Sequence, residues 1–296
     1  MGHVQSTVRI QKAKLPYPDA ACRVLVLNAC ILVAGVTFSR AGDDLKEKRL
    51  DDILNMARFY DIVILQEVWE CLWWRSFATS FYNKAANMGF HVISTSLCGF
   101  GLMNTGNVIL SRHIVRDASA TCFKATSGWQ STMSNGILHA CLMLKSGPLH
   151  VFNTHLQSDS VPYASILNSS SSDTRRDQAK ALIDFMNTKN PRKEPWFLAG
   201  DFNFGPFSRE YNYMRGALKC ESLLAPAFSA TYNPDSFLAP MGWRAGEKGM
   251  SKFEGKQGCI DHIFSSINPD NVNVKVLRTV STLSDHFPIE VNVYPP

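Results

Sequence analysis

Residues 62–67 read Ile62-Val63-Ile64-Leu65-Gln66-Glu67, and residues 24–28 read Val24-Leu25-Val26-Leu27-Asn28. Each is a short aliphatic run of the kind that forms strands, and each ends abruptly in polar residues. A carboxylate directly after such a run is costly to desolvate unless it meets a cation or a donor. Taken alone, Glu67 is a structural strand-end charge or a ligand. The same pattern of apolar run and polar end recurs along the chain. Strands are expected over 23–28, 62–66, 90–95, 106–111, 149–155, 196–200, 259–264 and 289–293. Helical spacing of apolar residues predicts helices over 43–59, 71–88 and 174–188, with Asp43 and Asp44 at the N-cap and first turn of the first. Residues 157–173, which include Ser169–Ser172, and residues 233–258 read as loops. This mixture implies an α/β fold with sheet packed on sheet and helices outside.

Four further polar islands lie at strand ends. In Asn153-Thr154-His155-Leu156-Gln157, strand alternation puts Asn153, His155 and Gln157 on one face. In Gly200-Asp201-Phe202-Asn203, the glycine allows close backbone approach, and Asp201 and Asn203 share a face if the strand continues. Two oxygen ligands so spaced suit Mg²⁺ or Mn²⁺ better than zinc. In Ile260-Asp261-His262, Asp261 is placed to orient an imidazole and His262 is expected to be structural. Ser284-Asp285-His286 joins an acid to an imidazole before the last strand. Together the islands supply oxygen ligands, two imidazoles, an aspartate to orient one of them, and amides for phosphoryl oxygens. That set serves metal-assisted attack of water on a phosphodiester. GxSxG, P-loop and HExxH patterns are absent.

The islands run from Asn28 to His286, so residues 21–296 are expected to form one catalytic domain, with residues 1–20 as an N-terminal extension. The net charge of +5 suits anionic substrates or a lipid surface, and equally suits an ordinary surface. The eight cysteines show no CxxC spacing, and no secretory leader is visible, so free thiols in a cytoplasmic setting are expected. No stretch is long and apolar enough for a membrane span, so membrane contact is expected to be peripheral. The start Met1-Gly2-His3-Val4-Gln5-Ser6 fits the pattern for myristoylation at Gly2 and equally that of a chance or cloning-derived start.

In order and wording, Asn28, Gln66-Glu67, Gly106-Asn107, Thr154-His155, Gly200 to Asn203, Ile260 to His262 and Ser284 to Pro288 resemble the endonuclease/exonuclease/phosphatase superfamily. The resemblance implies a four-layered α/β sandwich, two mixed sheets with helices outside. It implies Glu67 as the main Mg²⁺ ligand with Asn28 nearby, and Asp201 and Asn203 as residues that bind or position metal, water and phosphate. It further implies His286 as general base oriented by Asp261, Asp285 beside it at the metal, and His155 as the imidazole that assists the transition state or leaving group. His-Leu-Gln at 155–157, Arg175-x-x-Gln178, Trp69 and Thr231-Tyr232-Asn233-Pro234 are similar to segments of neutral sphingomyelinases. That likeness implies hydrolysis of sphingomyelin to ceramide and phosphocholine at a membrane surface, with Asn107, Gln157 and Trp69 toward the substrate. The competing readings are a nuclease or deadenylase on the same fold, an inositol polyphosphate phosphatase, and a relative without activity. Retention of all the polar islands disfavours the last.

Overall fold

In the computed structural model, the opening runs become neighbouring central strands, and their lack of alternation has a direct cause. Both faces are buried. The structure describes residues 5–6, 8–11, 22–33, 44–71, 77–95, 103–127, 130–131, 133–159, 168–225, 229–239, 258–280 and 282–294. One sheet has the strand order β15 (Val272–Val276), β16 (Ile289–Val293), β3 (Cys22–Ile31), β4 (Ile62–Val68), β8 (Val108–Ser111), β6 (His91–Thr95), β2 (Val8–Gln11). The other has the order β1 (Gln5–Ser6), β9 (Ile114–Cys122), β11 (Gly136–Leu144), β12 (Gly147–His155), β13 (Trp196–Asp201), β14 (Asp261–Ser265). Only β3–β4 and β12–β13 pair in parallel within these two sheets. A small third sheet joins β10 (Met133–Ser134), β7 (Met103–Asn104) and β5 (Glu70–Cys71).

Residue parity sorts the core into layers. Val24, Val26, Ile62 and Ile64 meet Leu138, Ala140, Val151, Phe197 and Ala199 between the two sheets. Leu25, Leu27, Val63 and Leu65 face outward, onto Leu50, Ile53 and Leu54 of α1 (Lys46–Ala57) and Ala78, Phe81 and Ala85 of α2 (Ala78–Asn87). On the other side, Ile137, Phe152, Leu198 and Phe264 pack on Ala179, Leu182 and Met186 of α3 (Asn168–Lys189) and on Tyr211 and Met214 of α4 (Arg209–Leu218). The result is a helix–sheet–sheet–helix sandwich, the four layers expected.

Several local expectations change. The N-cap of α1 is Leu45 in a left-handed conformation, with no side-chain cap; Asp44 instead pairs with Lys46, and Asp43 lies outside the described residues. The Ser169–Ser172 run belongs to α3, which begins at Asn168 rather than at 174. There, the Arg175–Glu210 ion pair to α4 helps outweigh the weak helix preference of serine. Residues 72–76 and 240–257 lie outside the described residues. Strands β9, β11 and β15 and helix α4 add to the expected elements, and Ser208 caps α4 by accepting from the Tyr211 N–H. Part of the expected N-terminal extension, residues 5–6 and 8–11, supplies edge strands to both sheets. Cys122 is disulfide-bonded, against the expectation of free thiols throughout.

Candidate active site

The parity that fills the inter-sheet core with apolar side chains continues to the strand ends, where it delivers polar ones. On β3 and β4 the inward series 24, 26 and 62, 64 reaches Asn28 and Gln66, which are paired across the sheet. On the facing sheet, 149 and 151 lead to Asn153 and His155, 197 and 199 lead to Asp201, and 263 leads back to Asp261. His155 lies opposite Asp201, and Asp201 opposite Asp261, so three adjacent strands present them in a row. Glu67 has the outward parity. Its positive φ of 58° breaks the strand twist and turns its carboxylate to the cluster. Such a conformation is strained for a residue with a Cβ and persists only where its surroundings enforce it. Here the Glu67 and Val68 N–H groups donate to Thr105 and Gly106 carbonyls at 3.0 and 3.1 Å. Gly106 is itself left-handed, and a Cβ there would sit 2.0 Å from the Val68 oxygen, so only glycine fits.

The side chains converge closely. Asn28 Nδ2 donates to Glu67 Oε1 at 2.9 Å and to Asp201 Oδ2 at 3.0 Å, and so bridges the two carboxylates. His155 Nε2 is 3.6 Å from Asp201 Oδ2 and 3.9 Å from Glu67 Oε1. His286 Nε2 approaches the same Asp201 oxygen at 3.7 Å. These three separations exceed a hydrogen bond and leave the imidazoles facing a shared space. On its other side, His286 Nδ1 lies 2.7 Å from Asp261 Oδ2, which as a carboxylate accepts the Nδ1–H and turns Nε2 to the shared space.

The electrostatics are lopsided. Glu67, Asp201, Asp261 and Asp285 gather with two imidazoles, and among the described residues the ion-pair partners of Glu67, Asp201 and Asp261 are imidazoles alone. Burial raises the pKa of Glu67, partly offset by His155 and the Asn28 hydrogen bond. Burial likewise raises Asp201, against the pull of His286. Burial pulls His286 down, but the charge and hydrogen bond of Asp261 outweigh it and hold the imidazolium form well above its ordinary range. An excess of buried carboxylate of this kind calls for a cation.

A family model for the endonuclease/exonuclease/phosphatase family matches residues 33–286. The chain belongs to this family. A comparison with curated proteins gives no match. Among solved structures, SmcL is 20% identical with a TM-score of 0.69, covering 92% of this chain and 99% of its own. Beta toxin from Staphylococcus aureus is 19% identical with a TM-score of 0.67, at the same coverages, and another of its structures carries bound magnesium ions. Sphingomyelinase C from Streptomyces griseocarneus is 17% identical with a TM-score of 0.63, covering 93% and 100%. At these identities the likeness establishes the shared fold. The family establishes a hydrolase of phosphoester bonds.

For an endonuclease/exonuclease/phosphatase member the donor set fits a hard divalent ion. Ligand atoms of Glu67, His155 and Asp201 lie within 4.8 Å of one another, as do those of Asp201, Asp261 and His286. Asn203 does not continue the strand: it turns left-handed at φ 54°, its N–H holds Asp201 Oδ1 at 2.9 Å, and its Nδ2 reaches the Leu156 carbonyl at 3.0 Å. Asp285 sits beside Ser284 and the Cys30 thiol, outside both of those groupings. Asn107 is buried with Nδ2 on the Gly136 carbonyl, while its Oδ1 has no hydrogen-bond partner among the described residues. Gln157 and Trp69 are not brought to the cluster. Gln157 accepts from the Ser127 N–H and donates to Ser158, and Trp69 is buried with Cys30, Leu32, Val33, Met133 and Leu238. Arg175 and Gln178 bind the Gln157 backbone from α3 and brace the chain after His155.

Supporting residues beyond the expected set hold the cluster. Thr231 Oγ1 accepts from the N–H groups of Ile260 and Asp261, both at 3.1 Å, and fixes the start of β14. Tyr232 forms a β-bridge to His286 and stands edge-on to its ring at 5.5 Å. Ser284 Oγ donates to the Asn28 carbonyl at 2.6 Å and receives the His286 N–H at 3.2 Å. Arg49 binds carbonyls of Ala29, Cys30, Asp44 and Leu283. The Thr-Tyr-x-Pro segment and the Ser before Asp285 were visible signals; Arg49, one of several basic residues in the first turn of α1, carried none.

Proposed function

We propose that the chain is a Mg²⁺-dependent phosphodiesterase that cleaves sphingomyelin in the manner of a phospholipase C, giving ceramide and phosphocholine. The observation that carries the proposal is His286, held by Asp261 at 2.7 Å and turned with His155 toward Glu67 and Asp201. In this reading Glu67, Asp201, Asn28, Asn203, Asp285 and His286 hold or surround the ion, with Mn²⁺ as an alternative. When bound, the ion supplies positive charge to the phosphoryl oxygens. Asp261 would keep the His286 Nδ1 proton in place, and a cation offsetting the surrounding carboxylates would lower the His286 pKa and leave Nε2 able to take a proton from the attacking water. His155, facing the same space, donates to a phosphoryl oxygen or to the departing ceramide alkoxide. The amide of Asn107 contacts the phosphate. The resemblance at residues 155–157, 175–178 and 231–234 supports the sphingomyelin assignment, as does the fold shared with the Streptomyces sphingomyelinase C. Among the described residues no helix is long and apolar enough to cross a membrane, and substrate access would be peripheral, from the cytoplasmic side, aided by acylation at Gly2.

The test is phosphocholine release from sphingomyelin micelles with Mg²⁺, with EDTA and nicking of plasmid DNA in parallel. Release that EDTA abolishes and His286→Ala reduces, without nicking, supports the proposal. Metal-dependent nicking without phosphocholine release moves the enzyme to the nuclease branch.

A further inference from the structure

A second group of metal-ligating side chains lies at the opposite end of β12 and β13. His150 lies near the start of β12 on the face toward α3, opposite to the face that carries His155, and is five residues away, or about 17 Å at ~3.3 Å per residue. Cys141 on β11 is the cross-strand partner of His150. Glu194, in the connection from α3 to β13, accepts from His150 Nε2 at 2.8 Å. Ligand atoms of Cys141, His150 and Glu194 all lie within 4.8 Å of one another. We propose that these three residues form a second metal site, of zinc type, separate from the catalytic cluster.

The donor types carry the choice of metal. A thiolate, an imidazole and one carboxylate suit Zn²⁺, and a soft thiolate is a poor ligand for Mg²⁺. The site is rigid, because two of its ligands face each other on a continuous antiparallel ladder. The surrounding polar groups match those of a ligating histidine. His150 Nδ1 lies 2.9 Å from His139 Nε2, and His139 Nδ1 lies 3.2 Å from Ser119 Oγ. This chain runs in either direction. Without metal, His150 donates Nε2–H to Glu194 and accepts at Nδ1. With metal on Nε2, Nδ1–H donates to His139, whose Nδ1–H donates to Ser119. Loading the site therefore releases the thiol proton to solvent and reverses two hydrogen bonds, leaving no buried nitrogen unpaired. Arg116 Nη2 donates to Glu194 Oε2 at 2.8 Å and so fixes that carboxylate beside Cys141. Glu194 is 19% exposed while Cys141 is 1%, so the ion has an entry path and a buried seat. Bound metal would tie the β11–β12 hairpin to the α3–β13 connection.

The test is Co²⁺ addition to chelator-treated protein, read as the thiolate-to-cobalt charge-transfer band, with zinc displacement. A band that saturates at one equivalent, is quenched by Zn²⁺ and not by Mg²⁺, and is lost in Cys141→Ser supports the site. The band should survive Asp201→Asn, which alters the catalytic cluster. Glu194→Gln, at the exposed end, guards against loss through misfolding: a properly folded E194Q protein should bind Co²⁺ at least about tenfold more weakly. Absence of the band in the folded wild-type protein, or a band indifferent to Cys141→Ser, overturns the site and leaves the residues as a hydrogen-bonded relay.

Discussion

Arg49→Met is the most informative single change. Arg49 is 2% exposed. It donates Nε to the Asp44 carbonyl at 2.7 Å, Nη1 to Ala29 and Leu283 at 2.9 and 3.0 Å, and Nη2 to Cys30 at 2.9 Å. One guanidinium thus joins α1 to the end of β3, just past Asn28, and to the turn that leads into Ser284, Asp285 and His286. At about 1.5 kcal/mol for each bond from a charged donor, the four sum to roughly 6 kcal/mol. Methionine removes them but also recovers the desolvation cost of a buried cation, several kcal/mol. The net loss should be about 3 kcal/mol, comparable to emptying a core position. Urea unfolding followed by tryptophan fluorescence measures it: with m about 3 kcal/mol per molar, the midpoint falls by about 1 M. Arg49→Lys should recover less than half, because an ammonium cannot span carbonyls arranged around a planar fork. A midpoint within about 0.2 M of wild type for Arg49→Met would refute the reasoning, since a shift that small is well under 1 kcal/mol.

Three other changes probe separate links. Asp261→Asn keeps the size of the group that holds His286 but removes its charge, so kcat should fall about 10²–10⁴-fold with little change in Tm; full activity would exclude His286 as the base. Gly200→Ala places a Cβ 1.9 Å from the Thr154 carbonyl oxygen and forces β12 from β13; a loss of about 1–3 kcal/mol or more is expected in thermal unfolding. His262 is buried, accepted by the Phe204 carbonyl and ringed by Phe202, Phe204 and Tyr211, and burial lowers its pKa from 6.5 to about 4. The unfolded chain therefore binds a proton below pH 6.5 that the native protein refuses until about pH 4. Stability falls across that window on acidification by up to about 3 kcal/mol. His262→Phe should flatten this slope, leaving the share of His139, whose pKa burial lowers to about 3. An unchanged slope between pH 6.5 and 4 counts against the assignment.

The order of layers was legible because fully buried strands announce themselves: Val24–Leu27 and Ile62–Leu65 carry no polar residue for either face. The strand-end polar residues were legible for the same reason, since each interrupts an apolar run. His262 was read as structural and is so. What escaped the reading depends on contacts distant in sequence. Glu67 has the wrong parity for the cluster and reaches it only through a left-handed backbone that Thr105 and Gly106 hold. Asn203 looked like a strand partner of Asp201, yet the chain turns first. Trp69 follows a carboxylate and looks poised for a ligand, but the small third sheet and Leu238 cover it. Strand β11 carries His139 and Cys141 within its apolar run, which disguised a central strand as a mixed segment.

His155, Asp201 and Asp261 are anchored on three adjacent paired strands of one sheet, whereas His286 hangs on an isolated bridge to Tyr232 outside either. The cluster therefore joins parts of unequal local stability. Segments held by few pairings open at lower free energy than the sheets that support them. Mild denaturant should silence turnover while the sandwich is still folded, and return of turnover on dilution should be faster than refolding. Hydrogen exchange at the His286 and Phe287 amides, faster than at Ala199 or Ile263, would locate that opening. The fold thus separates endurance from competence: the sheets set how long the protein lasts, and one short crossing of chain sets whether it works.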